Sequence, residues 1–395
     1  MRNLIRWPVD CLARRLTALR DDGGRGAVGV LVAVMIGAGV LFGMGALVVD
    51  VGQMYENRAE LQNGADAAAL AVAKSCAQGS CPSSATATAT SYATLNASKL
   101  TGGKANVTFV CGLNGNAALG SGPCPGAPKN VCPPNPPSGA NYVDVETSTL
   151  LANGSTLLPP VFAGTLAGSH TGKTVFACAQ AEWGGPLTSA TVGFTISACT
   201  RDGATSVGTS FAPPGPYTFN PSPDSSLQPF DHLIYLKGGP TGGCTTESAA
   251  QNDSPGNFGW TADPNSTCST IVTTFQSGGS TGFQYGGSTG NSVSQPCKSQ
   301  IPTWQASRTV LDVPVYVSVV NPGSNATYTL KGFAAFVITG YNLPSMSAKD
   351  WVTGSVPNCG GGNSCISGFF TSALVNTSGS LGGTNLGLSI MKLTG

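Results

Sequence analysis

The sequence predicts a membrane-anchored α+β protein. One N-terminal transmembrane helix continues into an exported helix, and a mainly β, disulfide-rich extracytoplasmic domain follows. Three features of the 395-residue chain lead to this prediction: a long apolar run, the placement of the cysteines, and short alternating segments bounded by turn residues. Only 9% of the residues are charged and the net charge is +1, which excludes the basic surface expected of a nucleic-acid-binding protein.

The apolar run spans residues 26–49, which are 24 residues without a charged side chain. As a helix the run would be about 36 Å long, enough to cross a hydrocarbon core of about 30 Å. Twelve of its residues are Val, Leu, Ile or Phe, which together favour insertion by roughly 4–7 kcal/mol. Gly39 and Gly43 have the Gly-x-x-x-Gly spacing of closely packed membrane helices, a spacing that is also common by chance in glycine-rich spans.

The flanking charges predict the orientation of this helix. Six arginines and three aspartates precede the run, whereas the first charges after it are Asp50 and Glu56. The positive-inside rule therefore places residues 1–25 in the cytoplasm and the chain beyond Asp50 outside a bacterial cell membrane.

A cleaved leader is the alternative to a retained anchor. The run is too long for a typical signal peptide, and the small-x-small triplets at residues 69–71 and 71–73 lie about 20 residues too late for cleavage. A prepilin-type signal would need a glutamate five residues after a cleavage-site glycine, and neither Gly24 nor Gly26 is followed by one at that distance. We therefore expect a retained, single-pass anchor.

Cysteine placement supports this topology. Of 13 cysteines, Cys11 lies on the predicted cytoplasmic side and 12 follow the apolar run, an even number that fits up to six disulfides in an oxidising compartment. No pair has the C-x-x-C spacing, and His170 and His232 lie in unrelated contexts, so disulfides are favoured over a metal site. Short loops favour Cys76–Cys81 and Cys359–Cys365 as local pairs, and the other pairings stay open. The predicted disulfide cysteines are Cys76, Cys81, Cys111, Cys124, Cys132, Cys178, Cys199, Cys244, Cys268, Cys297, Cys359 and Cys365.

Three sections are expected beyond the membrane. In residues 50–76, apolar residues recur at spacings of three and four, so the helix is expected to continue outward until Cys76. Residues 77–140 are predicted to be a Ser-, Thr-, Pro- and Cys-rich connector, and residues 141–395 a mainly β domain. The apolar stripe of the exported helix either packs on the chain's own β domain or pairs with helices of partner proteins.

Alternation of apolar and polar residues predicts the strands. The strongest signals, residues 310–320 and 327–341, flank a hairpin turn, Asn321-Pro-Gly-Ser-Asn. Residues 201–230 are predicted to be loop, as are the two GGSTG copies at 278–282 and 286–290. Further strands are predicted at residues 106–110, 142–150, 174–183, 192–199, 232–237 and 386–393.

The sequence contains no recognisable catalytic arrangement. Neither histidine accompanies a nucleophile-elbow sequence, and there is no Walker loop or dinucleotide fingerprint. Asp144 and Glu146 share one face of a predicted strand, and the ordinary interpretation is exposed strand charges. Trp260 and Trp304 are interpreted as core anchors rather than ligand-binding aromatics. We therefore expect a non-enzymatic protein without a cofactor or a metal.

Eight residues after the apolar run form a recognisable pattern: Asp50, Gly52, Tyr55, Arg58, Leu61, Gln62, Ala65 and Asp66. In order and spacing, this segment resembles the N-terminal segment of TadE/TadG-like Flp (tight-adherence) pilus-assembly proteins. Looser matches at residues 255–260, 312–317 and 331–341, and at the C-terminus, are similar to long TadG-like members from high-GC Gram-positive bacteria.

The resemblance implies a role in Flp-type pilus biogenesis, as an anchored accessory or minor pilin-like component whose partners are other pilus-assembly or pilin-like proteins. The missing prepilin signal favours a membrane-resident role over incorporation into the fibre. The metal motif of the von Willebrand type A domain found in some relatives is absent, so that domain is not expected. The alternative is a surface adhesin or envelope protein that shares only the anchor segment.

Overall fold

The computed structural model describes residues 25–37, 40–97, 103–124, 132–136, 139–162, 172–218, 223–237, 258–263, 265–274, 284–288, 293–320, 326–360, 363–375 and 379–394. The described helices are α1 (Arg25–Gly37), α2 (Val40–Ala77), α3 (Ala85–Asn96), α4 (Ala198–Ala204) and α5 (Gln295–Ser307), with a 3₁₀ helix at Ser225–Phe230.

The described strands are β1 (Gly103–Asn114), β2 (Ala117–Gly120), β3 (Asn141–Leu151), β4 (Phe176–Pro186), β5 (Thr188–Val192), β6 (Phe194–Ser197), β7 (His232–Lys237), β8 (Phe258–Thr261), β9 (Ser269–Thr273), β10 (Gln284–Ser288), β11 (Val310–Val320), β12 (Ala326–Leu343), β13 (Met346–Ala348), β14 (Ser364–Thr371), β15 (Ala373–Leu374), β16 (Leu381–Asn385) and β17 (Leu388–Leu393). The chain is therefore mainly β after its N-terminal helices, as predicted.

The N-terminal apolar run is helical wherever it is described, in α1 and in the first turns of α2. Helix α2 continues without a break past Asp50 and ends at Ala77, one residue beyond the predicted end at Cys76. Within the described ranges, no helix combines the length and the apolar character needed to cross a membrane.

Helices α2 and α3 pack on an antiparallel sheet of order β17-β4-β3-β1-β2. Buried alanines of both helices meet Val143 and Val145 of β3 and the alanines of β4 in one apolar core. We call this unit the helix lobe: α2 from Leu61 onward, α3, β1–β4 and β17. Its last strand, β17, brings the C-terminal part of the chain next to the N-terminal helix.

A second sheet is built around β12, which pairs with β11 on one side and β14 on the other. From β11 the order continues to β6, β8 and β10, and β14 pairs with β7. Strand β16 pairs with both β12 and β4 and so joins this sheet to the helix lobe. Residues 187–380 are thus inserted between β4 and β16, which pair with each other. We call this insertion the β lobe.

The strongest strand signals are confirmed. Residues 106–110, 142–150, 232–237, 310–320 and 327–341 lie in β1, β3, β7, β11 and β12, and most of 174–183 and 386–393 lies in β4 and β17. Strands β11 and β12 pair antiparallel, as the predicted hairpin requires, while its turn at 321–325 lies outside the described residues. Residues 192–199 are divided between β5, β6 and α4.

Several segments expected to be irregular are regular. The predicted connector, residues 77–140, contains α3 and the β1–β2 hairpin, and α3 forms because Ser84 caps its N-terminus while alanines spaced by four residues supply a buried face. The predicted loop at 201–230 contains the end of α4 and the 3₁₀ helix. Residues 286–288 of the second GGSTG copy belong to β10, and the first copy lies outside the described residues.

Five cysteine pairs form disulfides in the described part of the chain, which confirms the disulfide-rich character. They are Cys76–Cys81, Cys111–Cys124, Cys132–Cys178, Cys268–Cys297 and Cys359–Cys365. Cys199 is also disulfide-bonded, and Cys244 lies outside the described residues. Both short-loop pairs that the spacing favoured are present.

Candidate functional site

The outer half of α2 is buried in the helix lobe. Leu61, Ala65, Ala68 and Val72 are each 0% exposed, and their spacing of three and four residues puts them on one face of the helix. Of the two alternatives for the apolar stripe, this part therefore packs on the chain's own fold.

Small residues bring α2 and α3 into close contact. A Cβ atom built on Gly64 would lie 2.9 Å from the carbonyl oxygen of Ala93 and 3.1 Å from the Cβ of Ala97. Ala65 and Ala89 are also completely buried between these elements. The alanine-rich block of the sequence is thus a contact surface that admits no larger side chain without rearrangement.

Hydrogen bonds fix the position of α2 on the sheet. The Gln62 side-chain amide donates to the carbonyl oxygen of Cys178 at 2.9 Å and to Asp66 Oδ1 at 2.8 Å. From the neighbouring strand β3, the Thr147 hydroxyl donates to the carbonyl oxygen of Leu61 at 3.0 Å. Gln62 is therefore a docking residue that links the helix to the strand carrying the Cys132–Cys178 disulfide.

Asp50, the first charged residue after the apolar run, binds a different segment. Its carboxylate accepts hydrogen bonds from the backbone N–H groups of Val161, at 2.8 Å, and Phe162, at 3.0 Å. These two residues are therefore held beside the helix at the level where the apolar run ends. Their side chains are 48% and 47% exposed.

Gly52, Tyr55 and Arg58 remain on the surface. Tyr55 and Arg58 line a groove of about 540 Å³ between α2 and the start of β4. Gly39 lies outside the described residues, and a Cβ on Gly43 would have no described atom within 4 Å. The motif residues are thus divided between a buried docking face and an exposed face next to the apolar run.

Residues 26–75 match the model of the putative Flp pilus-assembly TadE/G-like family. The N-terminal segment is TadE/G-like. No curated protein and no solved structure matches the chain. The similarity of the later segments to long TadG-like proteins stays a prediction. The match ends just before Cys76, so the docking face of α2 belongs to the TadE/G-like segment, and the match supports a role connected with Flp pili.

Strand β3, which contacts α2 through Thr147, carries two buried acids, Asp144 and Glu146. Their interpretation as exposed strand charges was wrong. They are 2% and 3% exposed because β3 is covered on both faces. The Thr108 hydroxyl donates to Glu146 Oε1 at 2.7 Å. The pKa of Asp144 is raised to about 6, mainly by burial; a hydrogen bond with Gln180 lowers it, and the charge of Glu182 adds to the rise.

The ligand atoms of Asp144, Cys111 and Cys124 lie within 4.8 Å of one another. The two cysteines are joined in a disulfide, so their sulfur atoms are not the thiolates that bind metal ions. This cluster is a structural part of the helix lobe.

The β lobe contains a carboxyl pair that no sequence signal indicated. The Thr339 hydroxyl donates to Asp231 Oδ1 at 2.7 Å, and Asp350 accepts from the backbone N–H groups of Val352, at 2.7 Å, and Thr353, at 3.1 Å. Burial, together with the neighbouring Asp350 carboxylate, raises the pKa of Asp231 to about 8. The two acids are far apart in the chain, so only the fold brings them together.

Trp260, Trp304 and His232 lie in the β lobe. Trp260 is 4% exposed and packs edge-to-face on Phe194, which confirms its interpretation as a core anchor, and Trp304 packs against the same core. His232 begins β7, where burial lowers the pKa of its imidazole, and His170 lies outside the described residues.

Proposed function

We propose that this chain is a non-enzymatic, membrane-anchored component of Flp/Tad-type pilus assembly that acts through protein–protein contacts outside the membrane. One observation carries the proposal. The TadE/G-like segment forms a helix that runs from the apolar residues into the core of the helix lobe without an intervening linker. Such a helix holds the folded lobe at a fixed distance from the membrane, as a scaffold for assembly requires.

Residues 26–49 are the proposed anchor in the bacterial cell membrane, with residues 1–25 in the cytoplasm and the lobes outside. The apolar side chains of α1 are exposed, for example Val28 at 68%, Leu31 at 61% and Val34 at 63%, and an apolar surface of this kind needs lipid or other helices to cover it. The preceding arginines and the disulfides beyond the run support the same orientation.

Other pilus-assembly or pilin-like proteins are the proposed partners. The space around Gly43 leaves room for a second helix to approach the apolar part of α2. Outside the membrane, the lobes provide the larger surface for contacts.

Deletion of the gene, followed by electron microscopy of surface pili, tests the proposed function. We expect fewer pili or none, and recovery with a wild-type copy. A copy in which a cleavable signal peptide replaces residues 1–49 is expected to secrete the lobes without restoring pili, and immunoblotting controls for the amount exported. Unchanged pilus number and length in the deletion strain would contradict the proposal.

An adhesin or envelope protein is the second candidate. The observation that favours it is the extent of the family match, which covers residues 26–75 and leaves both sheets unmatched. The same deletion strain distinguishes the two, because an adhesin mutant would lose attachment to surfaces while its pili stay intact.

A further inference from the structure

We propose that the groove beside the TadE/G-like segment binds the headgroup of an anionic phospholipid in the extracytoplasmic leaflet. The inference rests on the membrane anchoring proposed above. The groove lies between α2 and the start of β4 and has a volume of about 540 Å³. Its lining residues are Val51, Met54, Tyr55, Arg58, Lys173, Thr174, Val175 and Phe176.

The charge of the groove fits a phosphate diester. Arg58 and Lys173 both line it, and none of the lining residues is acidic. In the part of the chain that the structure describes, neither cation forms an ion pair. A guanidinium and an ammonium group that converge on one cavity are the usual protein partners of a phosphate.

The remaining lining suits the glycerol and the first methylene groups of a lipid. Val51 is 40% exposed and Phe176 is 38% exposed, so apolar surface lies open beside the two cations. Tyr55, 70% exposed, has the apolar ring and polar hydroxyl typical of side chains at the membrane–water interface. A free inorganic anion would leave this apolar surface uncovered.

The groove also lies at the height of the lipid headgroups. Arg58 is nine residues beyond Val49, so its Cα lies about 13 Å above the end of the apolar run. Helical side chains point back toward the helix N-terminus, which directs the long Arg58 side chain toward the membrane. The polar headgroup layer is about 5–8 Å thick on each side, within reach of a side chain that points downward from this height.

A second observation supports lipid contact on this side of the helix lobe. Asp50 binds the backbone N–H groups of Val161 and Phe162 and so holds them at the end of the apolar run. Both side chains remain 47–48% exposed. Exposed apolar side chains at this height enter the interfacial layer of a bilayer, which turns the groove toward the headgroups.

Lipid retention by the full-length protein tests the proposal. The protein is reconstituted in nanodiscs with equal amounts of phosphatidylglycerol and phosphatidylcholine, and retained lipid is identified by native mass spectrometry. We expect enrichment of phosphatidylglycerol by on the order of tenfold or more, since each basic residue near an anionic surface contributes about fivefold. The double variant Arg58→Gln/Lys173→Gln is expected to lose this enrichment.

The double variant Lys74→Gln/Lys104→Gln is the matched control. It removes the same charge from two exposed lysines outside the groove and should retain the enrichment. Equal retention of the two lipids by the wild type, equal loss in both double variants, or displacement of the lipid by excess inorganic phosphate would each overturn the proposal. Normal pili in the deletion strain would contradict the proposed function alone, because lipid retention is measured on the purified chain.

Discussion

Asp231 and Asp350 place two carboxyl groups in one buried site, so one of them holds a proton near neutral pH. The pKa of Asp231 is raised from 3.8 to about 8 in the folded protein by burial and by Asp350. Because the folded state binds this proton more tightly than the unfolded state, its stabilising contribution is complete below about pH 4 and is lost as the pH rises towards 8. Asp144 and Asp312, with pKa values raised to about 6 and about 7, act in the same direction.

The first prediction concerns the variant Asp231→Asn, which keeps the oxygen that accepts from Thr339 but no longer titrates. The free energy of unfolding of the wild type should fall between pH 5 and pH 8, with Asp231 contributing at most about 1.4 kcal/mol per pH unit. The variant should show a smaller decline in urea denaturation, and the control Glu56→Gln, at an exposed position, should behave as the wild type. Equal slopes for all three proteins would contradict this account of the pair.

Single residues also show which features local sequence patterns did not predict. Alternation on β3 predicted the strand correctly, but it could not show that a second layer covers the face carrying Asp144. Apolar spacing in residues 50–76 predicted one helix, whereas the strand partner of Gln62 and the backbone partners of Asp50 lie more than 100 residues away and depend on the fold.

At the level of elements, the packing of α2 on α3 depends on small side chains. Glycine lowers helix stability by about 1 kcal/mol relative to alanine, so its presence at position 64 needs a reason, and the reason is the carbonyl oxygen of Ala93 at 2.9 Å from a built Cβ. At Gly52, on the same helix, no described atom lies within 4 Å.

The second prediction compares alanine at these two positions. Gly64→Ala is expected to destabilise the helix lobe by about 1–3 kcal/mol, because the added methyl group overpacks the contact with α3. Gly52→Ala makes the same chemical change in open space and should be neutral or stabilising by up to about 1 kcal/mol. Thermal unfolding of the two variants measures the difference, and equal stability would show that α2 and α3 are not in close contact.

Elements were predictable where one residue pattern dominates. Helix α2 follows from apolar spacing, and β11 and β12 follow from long runs of β-branched and aromatic residues. Helices α3 and α5 were missed because Ser, Thr, Gln and Pro gave a loop-like composition. The caps Ser84 and Ser294, and Pro296 in the first turn of α5, are start signals that could have identified them.

At the scale of the whole molecule, α2 from the N-terminal part and β17 from the C-terminal part of the described chain meet in the helix lobe, and the β lobe is inserted between β4 and β16. Two of the disulfides each link residues within one lobe. Cys132–Cys178 closes a loop of 46 residues within the helix lobe, whereas Cys359–Cys365 closes one of 6 residues beside β14. No local pattern predicts that β16 and β17 return to β4, since the pairing spans about 200 residues.

The third prediction follows from loop closure. Replacing Cys132 and Cys178 with serine should lower the free energy of unfolding by about 4 kcal/mol, and replacing Cys359 and Cys365 by about 2 kcal/mol, because the longer loop restricts the unfolded chain more. Guanidinium denaturation of the two double variants gives both values. A larger loss for the shorter loop would contradict the explanation by loop entropy.

The central claim is that the apolar run lies in the membrane, as proposed, and that α2 leads from it into the core of the folded lobe. Thiol labelling of intact cells with a membrane-impermeant maleimide tests it most directly, with Val34→Cys, Glu56→Cys and Ala69→Cys made one at a time in a Cys11→Ser background. The account predicts labelling at position 56 in native cells, no labelling at position 34 because lipid covers it, and labelling at position 69 only after denaturation. Labelling at 34 or 69 in native cells, or none at 56, would contradict it.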